Sequence, residues 1–190
     1  MQFLNCKKVL CLSPHPDDVE LSMAGTILKF TDTHFDILCL TSGSKGDTTS
    51  SKNRFDEVKD FWNGINNVNL IFSEINFSGD KTEEEWLNYI DSTLCNSDYD
   101  MILSPSEHDS HFEHILFYKV CLASIRDKSI SFLTYNAIST LKNWIPDLIV
   151  DITKNYDEKW KRIKSSFSSQ KNHLYLEEDG FNSFHSDFNS

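Results

Sequence analysis

The sequence predicts one doubly wound α/β domain, a mostly parallel sheet with helices on both faces. Short apolar runs alternate with longer helical patterns along most of the chain. Several runs are rich in Val or Ile, as strands buried on both faces require. The 190 residues, 39% of them hydrophobic, suffice for a single sizeable core.

Each element is legible in turn. Strands are expected at Val9–Leu12, Phe35–Leu40, Val68–Phe72, Met101–Leu103, Ser131–Tyr135 and Leu148–Ile152. Helices are expected at Val19–Thr31, Arg54–Gly64, Glu83–Asn96, Ser110–Arg126 and Tyr156–Ser169. A polar loop, Thr41–Asn53, follows the second strand. Residues 1–176 form the expected domain, and 177–190 a polar tail that holds Phe181, Phe184 and Phe188. There is no internal repeat.

Charge narrows the partners. The chain carries 29 acidic and 18 basic residues, a net charge of -11. That balance argues against nucleic acid or an anionic membrane as the main partner. No apolar run approaches membrane-spanning length. Cys6, Cys11, Cys39, Cys95 and Cys121 form no CxxC pair, and no basic segment with a long apolar stretch opens the chain. Together these point to a reduced, cytoplasmic protein.

Two polar clusters stand where a strand hands over to a helix, the place where open α/β sheets bind ligands. The first is Ser13-Pro-His-Pro-Asp-Asp-Val-Glu20. As a plain turn, its prolines stiffen the chain and Asp17 or Asp18 caps the helix. As a site, His15 and one aspartate hold a metal while the other aspartate serves as a base. The second cluster is Pro105-Ser-Glu-His-Asp-Ser-His-Phe-Glu-His114. Ser110 to Glu113 has the S-x-x-E form of a capping box. With Ser110 as N-cap, His111 and His114 share a helix face. Their alternative is that both histidines are surface polar residues. One or two imidazoles with a carboxylate form a usual zinc set with a position open for water.

Four ordered segments resemble the LmbE-like (PIG-L) family of zinc-dependent N-acetyl-sugar deacetylases. They are His15 to Glu20 with Met23-Ala-Gly-Thr26; Thr41-Ser-Gly-Ser-Lys-Gly46 with Arg54 to Glu57; Pro105 to His114; and Pro146 to Thr153 with Lys159 and Ser169-Gln170. The resemblance implies a Rossmann-like fold, a Zn2+ cofactor and an N-acetylated amino sugar as substrate. It makes His15, Asp18 and His114 the metal ligands. It makes Asp17 the general base and His111 the group that stabilises the oxyanion or protonates the leaving amine. A rival alignment through His108-Asp-Ser-His111 would make His111 the third ligand. Arg54 matches a family arginine near the substrate.

Other residues are read on their own. Asp80 is a candidate acceptor for a sugar hydroxyl, against the plain reading of Ser78-Gly79-Asp80 as a turn. Glu20 is read as a cap or as a carboxylate that orients a ligand. Trp62, Trp86, Trp144 and Trp160 read as packing residues, and His34, His173 and His185 have no partner cluster. The chain departs from the family at Phe112 and Glu113, at Asn136 where a glutamate is frequent, and after Gln170, where the segment closing over the sugar is not matched. A homo-oligomer is one source for such a lid. Two other functions compete: hydrolysis of another amide or a phosphoester, and a silent carbohydrate-binding subunit.

Overall fold

The computed structural model describes residues 6–43, 53–95 and 98–173. The middle of the expected loop 41–53, the tail 177–190 and His185 lie outside the described residues.

Among the described residues, five strands form a single parallel sheet: β1 (Lys8–Ser13), β2 (His34–Cys39), β3 (Val68–Phe72), β4 (Met101–Pro105) and β5 (Ser131–Tyr135). Their spatial order is β3-β2-β1-β4-β5. The helices are α1 (Asp18–Lys29), α2 (Arg54–Trp62), α3 (Glu83–Cys95), α4 (Phe112–Ile125) and α5 (Tyr156–Ser166). This is the Rossmann-like arrangement that the alternation predicts.

Strand alternation divides the core into two layers. Val9, Cys11, Phe35, Ile37 and Leu103 face α1, α2 and α5, against Ala24, Ile27, Phe61, Trp160 and Ile163. Leu10, Leu12, Leu38 and Ile102 face α3 and α4, against Trp86, Ile90, Phe117 and Cys121. Successive side chains point to opposite faces, so a continuous apolar run feeds both layers. Trp62, Trp86 and Trp160 are buried as packing residues.

The chain first winds from β1 outward to β3, then crosses back to β4 and β5. The reversal lies between the paired strands β1 and β4, where Cys11 stands opposite Leu103. A crevice opens outside the carboxyl ends of the strands at such a switch point. The turn after β1 carries His15 to Asp18, and the turn after β4 carries Asp109 to His114. Topology therefore brings both sequence clusters to one crevice.

Two expectations are corrected. Leu148–Ile152 forms no strand. Ile152 packs onto α1, where a methyl group on Gly25 would collide with it, and Lys29 Nζ donates to the Asp151 carbonyl at 2.5 Å. These contacts draw the segment over α1, and Ile149 is left exposed. The fourth helix begins at Phe112, with His111 rather than Ser110 as its N-cap. Ser110 is drawn away because its N–H and Oγ–H both donate to the Ser139 carbonyl.

A buried polar group marks the opposite end of the sheet. Asp36 on β2 accepts from Tyr99 Oη at 2.7 Å and Asn69 Nδ2 at 2.9 Å, with Lys8 Nζ at 3.3 Å.

Candidate active site

The turn after β1 is sharply bent. Asp17 has φ 131°, a conformation few non-glycine residues adopt. Arg54 holds it there. Its Nη2 donates to Asp17 Oδ2 at 3.0 Å and to the Pro16 carbonyl at 2.7 Å, and its Nη1 donates to the Gly43 carbonyl at 3.1 Å. Gly43, at φ 61°, leaves room for the guanidinium, which a Cβ would strike. Arg54 is thus a buried clamp on the turn.

One residue on, Asp18 faces the two histidines. Its Oδ2 accepts from the His15 N–H at 2.8 Å and lies 3.2 Å from His15 Nδ1. Its Oδ1 lies 3.3 Å from His114 Nε2. Each ring is fixed from behind by a carboxylate. His15 Nε2 meets Glu113 Oε2 at 2.5 Å, and His114 Nδ1 meets Asp109 Oδ2 at 3.0 Å. Ring nitrogens of His15, His111 and His114 all lie within 4.8 Å of one another.

Asp109 is itself seated. It accepts from the His111 N–H at 2.7 Å and from Thr140 Oγ1 at 3.3 Å, and Ser139 Oγ stands 3.3 Å from His114 Nδ1. The loop after β5 therefore sets the loop after β4. At the helix start, the Glu113 N–H donates to His111 Nδ1 at 3.3 Å. That makes Nδ1 an acceptor and leaves the ring proton of neutral His111 on Nε2.

The electrostatics follow from burial and pairing. Burial alone would lower the His15 pKa, but its bonds to Asp18 and Glu113 outweigh that and raise it to about 9. Burial likewise works against charge on His114, but the Asp18 and Asp109 carboxylates raise its pKa to about 10. Asp18 is held well below the carboxylate range, because the two imidazoles outweigh the opposing effect of burial. Asp17 moves the other way: burial lifts it to about 6, against the pull of Arg54. Burial and the neighbouring imidazoles lower His111.

These residues fit a divalent cation. His114 Nε2 is buried without a hydrogen-bond partner, and it faces the same carboxylate as His15 Nδ1. Two ring nitrogens anchored from behind by carboxylates, with a shared carboxylate between them, are the donors and supports of a metal site. Asp17 stands beside this set on the wall of a cavity of about 460 Å³.

The structure gathers His15, Asp17, Asp18, Arg54, His111 and His114 on that cavity. It does not bring Asp80 there. The Asp80 carboxylate accepts the Phe77 N–H at 3.1 Å and closes the Ser78–Asp80 turn. Glu20 is fully buried, and its Oε1 accepts from Trp62 Nε1 at 2.6 Å rather than from a site histidine. His108 is exposed beside Glu107 and borders a different pocket, away from His15. Glu113 closes no capping box; its two oxygens serve His15 and the Ser78 N–H. His173 and Gln170, from the end of the described chain, also line the cavity. Gln170 was visible in the motif Ser169-Gln170, whereas nothing in the sequence marked His173.

Fold and site define the class: a Rossmann-like α/β protein with a histidine–carboxylate cluster that fits a metal at its topological switch point. The chain belongs to the PIG-L family, described as GlcNAc-PI de-N-acetylase, whose model matches residues 10–125. Over 48 residues it is 52% identical to diacetylchitobiose deacetylase of Thermococcus kodakarensis; the match covers 24% of this chain and 18% of that protein. The N,N'-diacetylchitobiose deacetylase of Pyrococcus horikoshii superposes with a TM-score of 0.76 at 23% identity, over 94% of this chain and 76% of that one. The 4-carboxy-2-hydroxymuconate hydratase GalB of Pseudomonas putida does so with a TM-score of 0.73 at 15% identity, over 95% and 84%. The likeness of fold thus extends to a hydratase, and activity must be argued from the site.

Proposed function

We propose that this protein is a zinc-dependent hydrolase that removes the N-acetyl group of an amino sugar, releasing acetate and a free amine. The arrangement of the two aspartates carries the reading. Asp18 lies between His15 and His114, while Asp17 is turned away to Arg54. A carboxylate beside the metal set but outside it is what an amide hydrolase needs as its base.

His15, Asp18 and His114 would hold the zinc, which supplies Lewis acidity to the acetyl carbonyl and acidifies water. Asp17 accepts the proton of the attacking water at Oδ, and its pKa near 6 keeps it ionised at neutral pH. His111 presents its Nε2 proton to the oxyanion as the carbonyl carbon becomes tetrahedral. The proton then passes to the amine nitrogen as the carbon–nitrogen bond breaks. Arg54 keeps Asp17 in its strained position and acts through it rather than on the sugar. The setting is cytoplasmic, a reading that the free cysteines support.

The test is acetate release from N-acetylglucosamine and N,N'-diacetylchitobiose by zinc-loaded protein. Release from either one, lost on chelation and restored by zinc, supports the proposal. Phosphate release from a sugar phosphate, with no acetate from either sugar, would move the reading to a phosphoesterase.

A further inference from the structure

Phe112 is 58% exposed, one residue into α4 and beside His111. A lone exposed Phe requires no explanation. This one is half of a built pair. Its ring lies along that of His111, with centroids 5.7 Å apart and planes 14° apart, and it meets the Phe77 ring at 6.2 Å, near edge-on.

The Phe77 side of the pair is held from several directions. The Phe77 N–H donates to Asp80 Oδ2 at 3.1 Å, the Ser78 N–H donates to Glu113 Oε1 at 3.1 Å, and Trp86 Nε1 donates to the Ser78 carbonyl at 2.9 Å. Gly79 has no side chain to push the Phe77 ring away, as any Cβ there would. The aromatic wall is therefore fixed to the same carboxylate that orients His15.

Phe112 also borders a second pocket, lined with it by Lys81, Glu83, Ile115, Leu116 and Lys119. The two depressions meet at the Phe112 ring. A ligand that fills the catalytic cavity and extends past Phe112 meets a flat apolar surface first, then a pocket where Lys81, Glu83 and Lys119 stand around Ile115 and Leu116.

We propose that Phe77 and Phe112 form a subsite for a second pyranose ring joined to the N-acetylated unit, so that the substrate is at least a disaccharide. The proposal rests on the amino-sugar reading above. A pyranose ring presents C–H groups on its faces and hydroxyls around its rim. The faces match the aromatic rings, and the rim matches Lys81, Glu83 and Lys119. An acyl chain would instead require a continuous apolar trough, and Lys81, Glu83 and Lys119 interrupt the apolar lining that Ile115 and Leu116 give the second pocket.

Acetate release from N-acetylglucosamine and N,N'-diacetylchitobiose is compared in wild type, Phe112→Ala, Phe77→Ala and Phe112→Trp, all zinc-loaded. Phe112→Ala is expected to raise KM for the disaccharide about tenfold more than for the monosaccharide, with the larger change in KM rather than kcat. Phe112→Trp is expected to restore the preference. Equal losses on both sugars would overturn the subsite. Calorimetric binding of both sugars to the metal-free full chain gives a separate readout. Wild type is expected to bind the disaccharide more tightly, and Phe112→Ala to lose that difference; no difference in wild type would overturn the proposal. If neither sugar releases acetate, the deacetylase reading falls while the binding comparison still decides the subsite.

Discussion

The carboxylate of Glu113 meets Nε2 of His15 at 2.5 Å, across the gap between α4 and the turn after β1. The contact leaves Nδ1 of the same ring facing Asp18. Glu113 is ionised throughout the neutral range: burial works against its charge, but His15 and the Ser78 N–H hold its pKa down at about 2.

Glu113→Gln is expected to weaken zinc binding about 10- to 100-fold, because ligand-orienting carboxylates contribute that much to metal affinity. Competition with a chromophoric chelator measures it. Unchanged affinity would remove Glu113 from the support of the metal.

Asp17→Asn is expected to keep bound zinc and lower kcat by roughly 10²- to 10⁴-fold, the usual contribution of a general base. Asparagine is isosteric and keeps a side-chain oxygen that can accept from Arg54 Nη2, which also holds the Pro16 carbonyl, so the clamp on the turn is kept. Metal content and acetate release are measured on the same sample. Near-wild-type turnover would exclude Asp17 as the base.

Arg54→Met tests a clamp against a substrate contact. Both Arg54 and Asp17 are buried, so removal of the guanidinium strands a buried carboxylate. The expected cost is about 3–5 kcal/mol of stability, read as a fall in the denaturation midpoint. A contact made only with substrate would raise KM and leave the midpoint in place.

Asp36 gives a pH test remote from the site. Burial opposes its charge, but hydrogen bonds from Tyr99 and Asn69, with Lys8 nearby, hold its pKa below the ordinary carboxylate value. The ionised group therefore stabilises the fold above the unfolded-state pKa of about 4. That contribution is lost as pH falls through the lower folded-state pKa. Thermal melts of wild type and Asp36→Asn are expected to differ most near neutrality and to converge below about pH 4. A gap that persists to low pH would mean that packing, not charge, sets the difference.

Much of the fold was written locally. Val68–Phe72 and Ser131–Tyr135 form strands over the expected residues, and other elements shift by a few residues at their ends. Short apolar runs need no distant information to be buried on both faces. Leu148–Ile152 has the same local character and forms no strand, because pairing requires a neighbour and its contacts lie on α1. At the site, His15-Pro-Asp-Asp18 was legible as two carboxylates with one imidazole. Ser110 and Glu113 satisfied a capping pattern, yet Ser139 and His15 compete for their polar atoms from distant parts of the chain.

The sequence by itself determined the elements, their alternation and the residue types of the metal set, because periodicity and local chemistry reside in neighbouring positions. Only the tertiary structure decided which carboxylate serves which group. Asp17 and Asp18 are adjacent and chemically alike, but a backbone turned to φ 131° sends one to Arg54 and leaves the other between two imidazoles. The switch point between β1 and β4 brings the second imidazole there from α4.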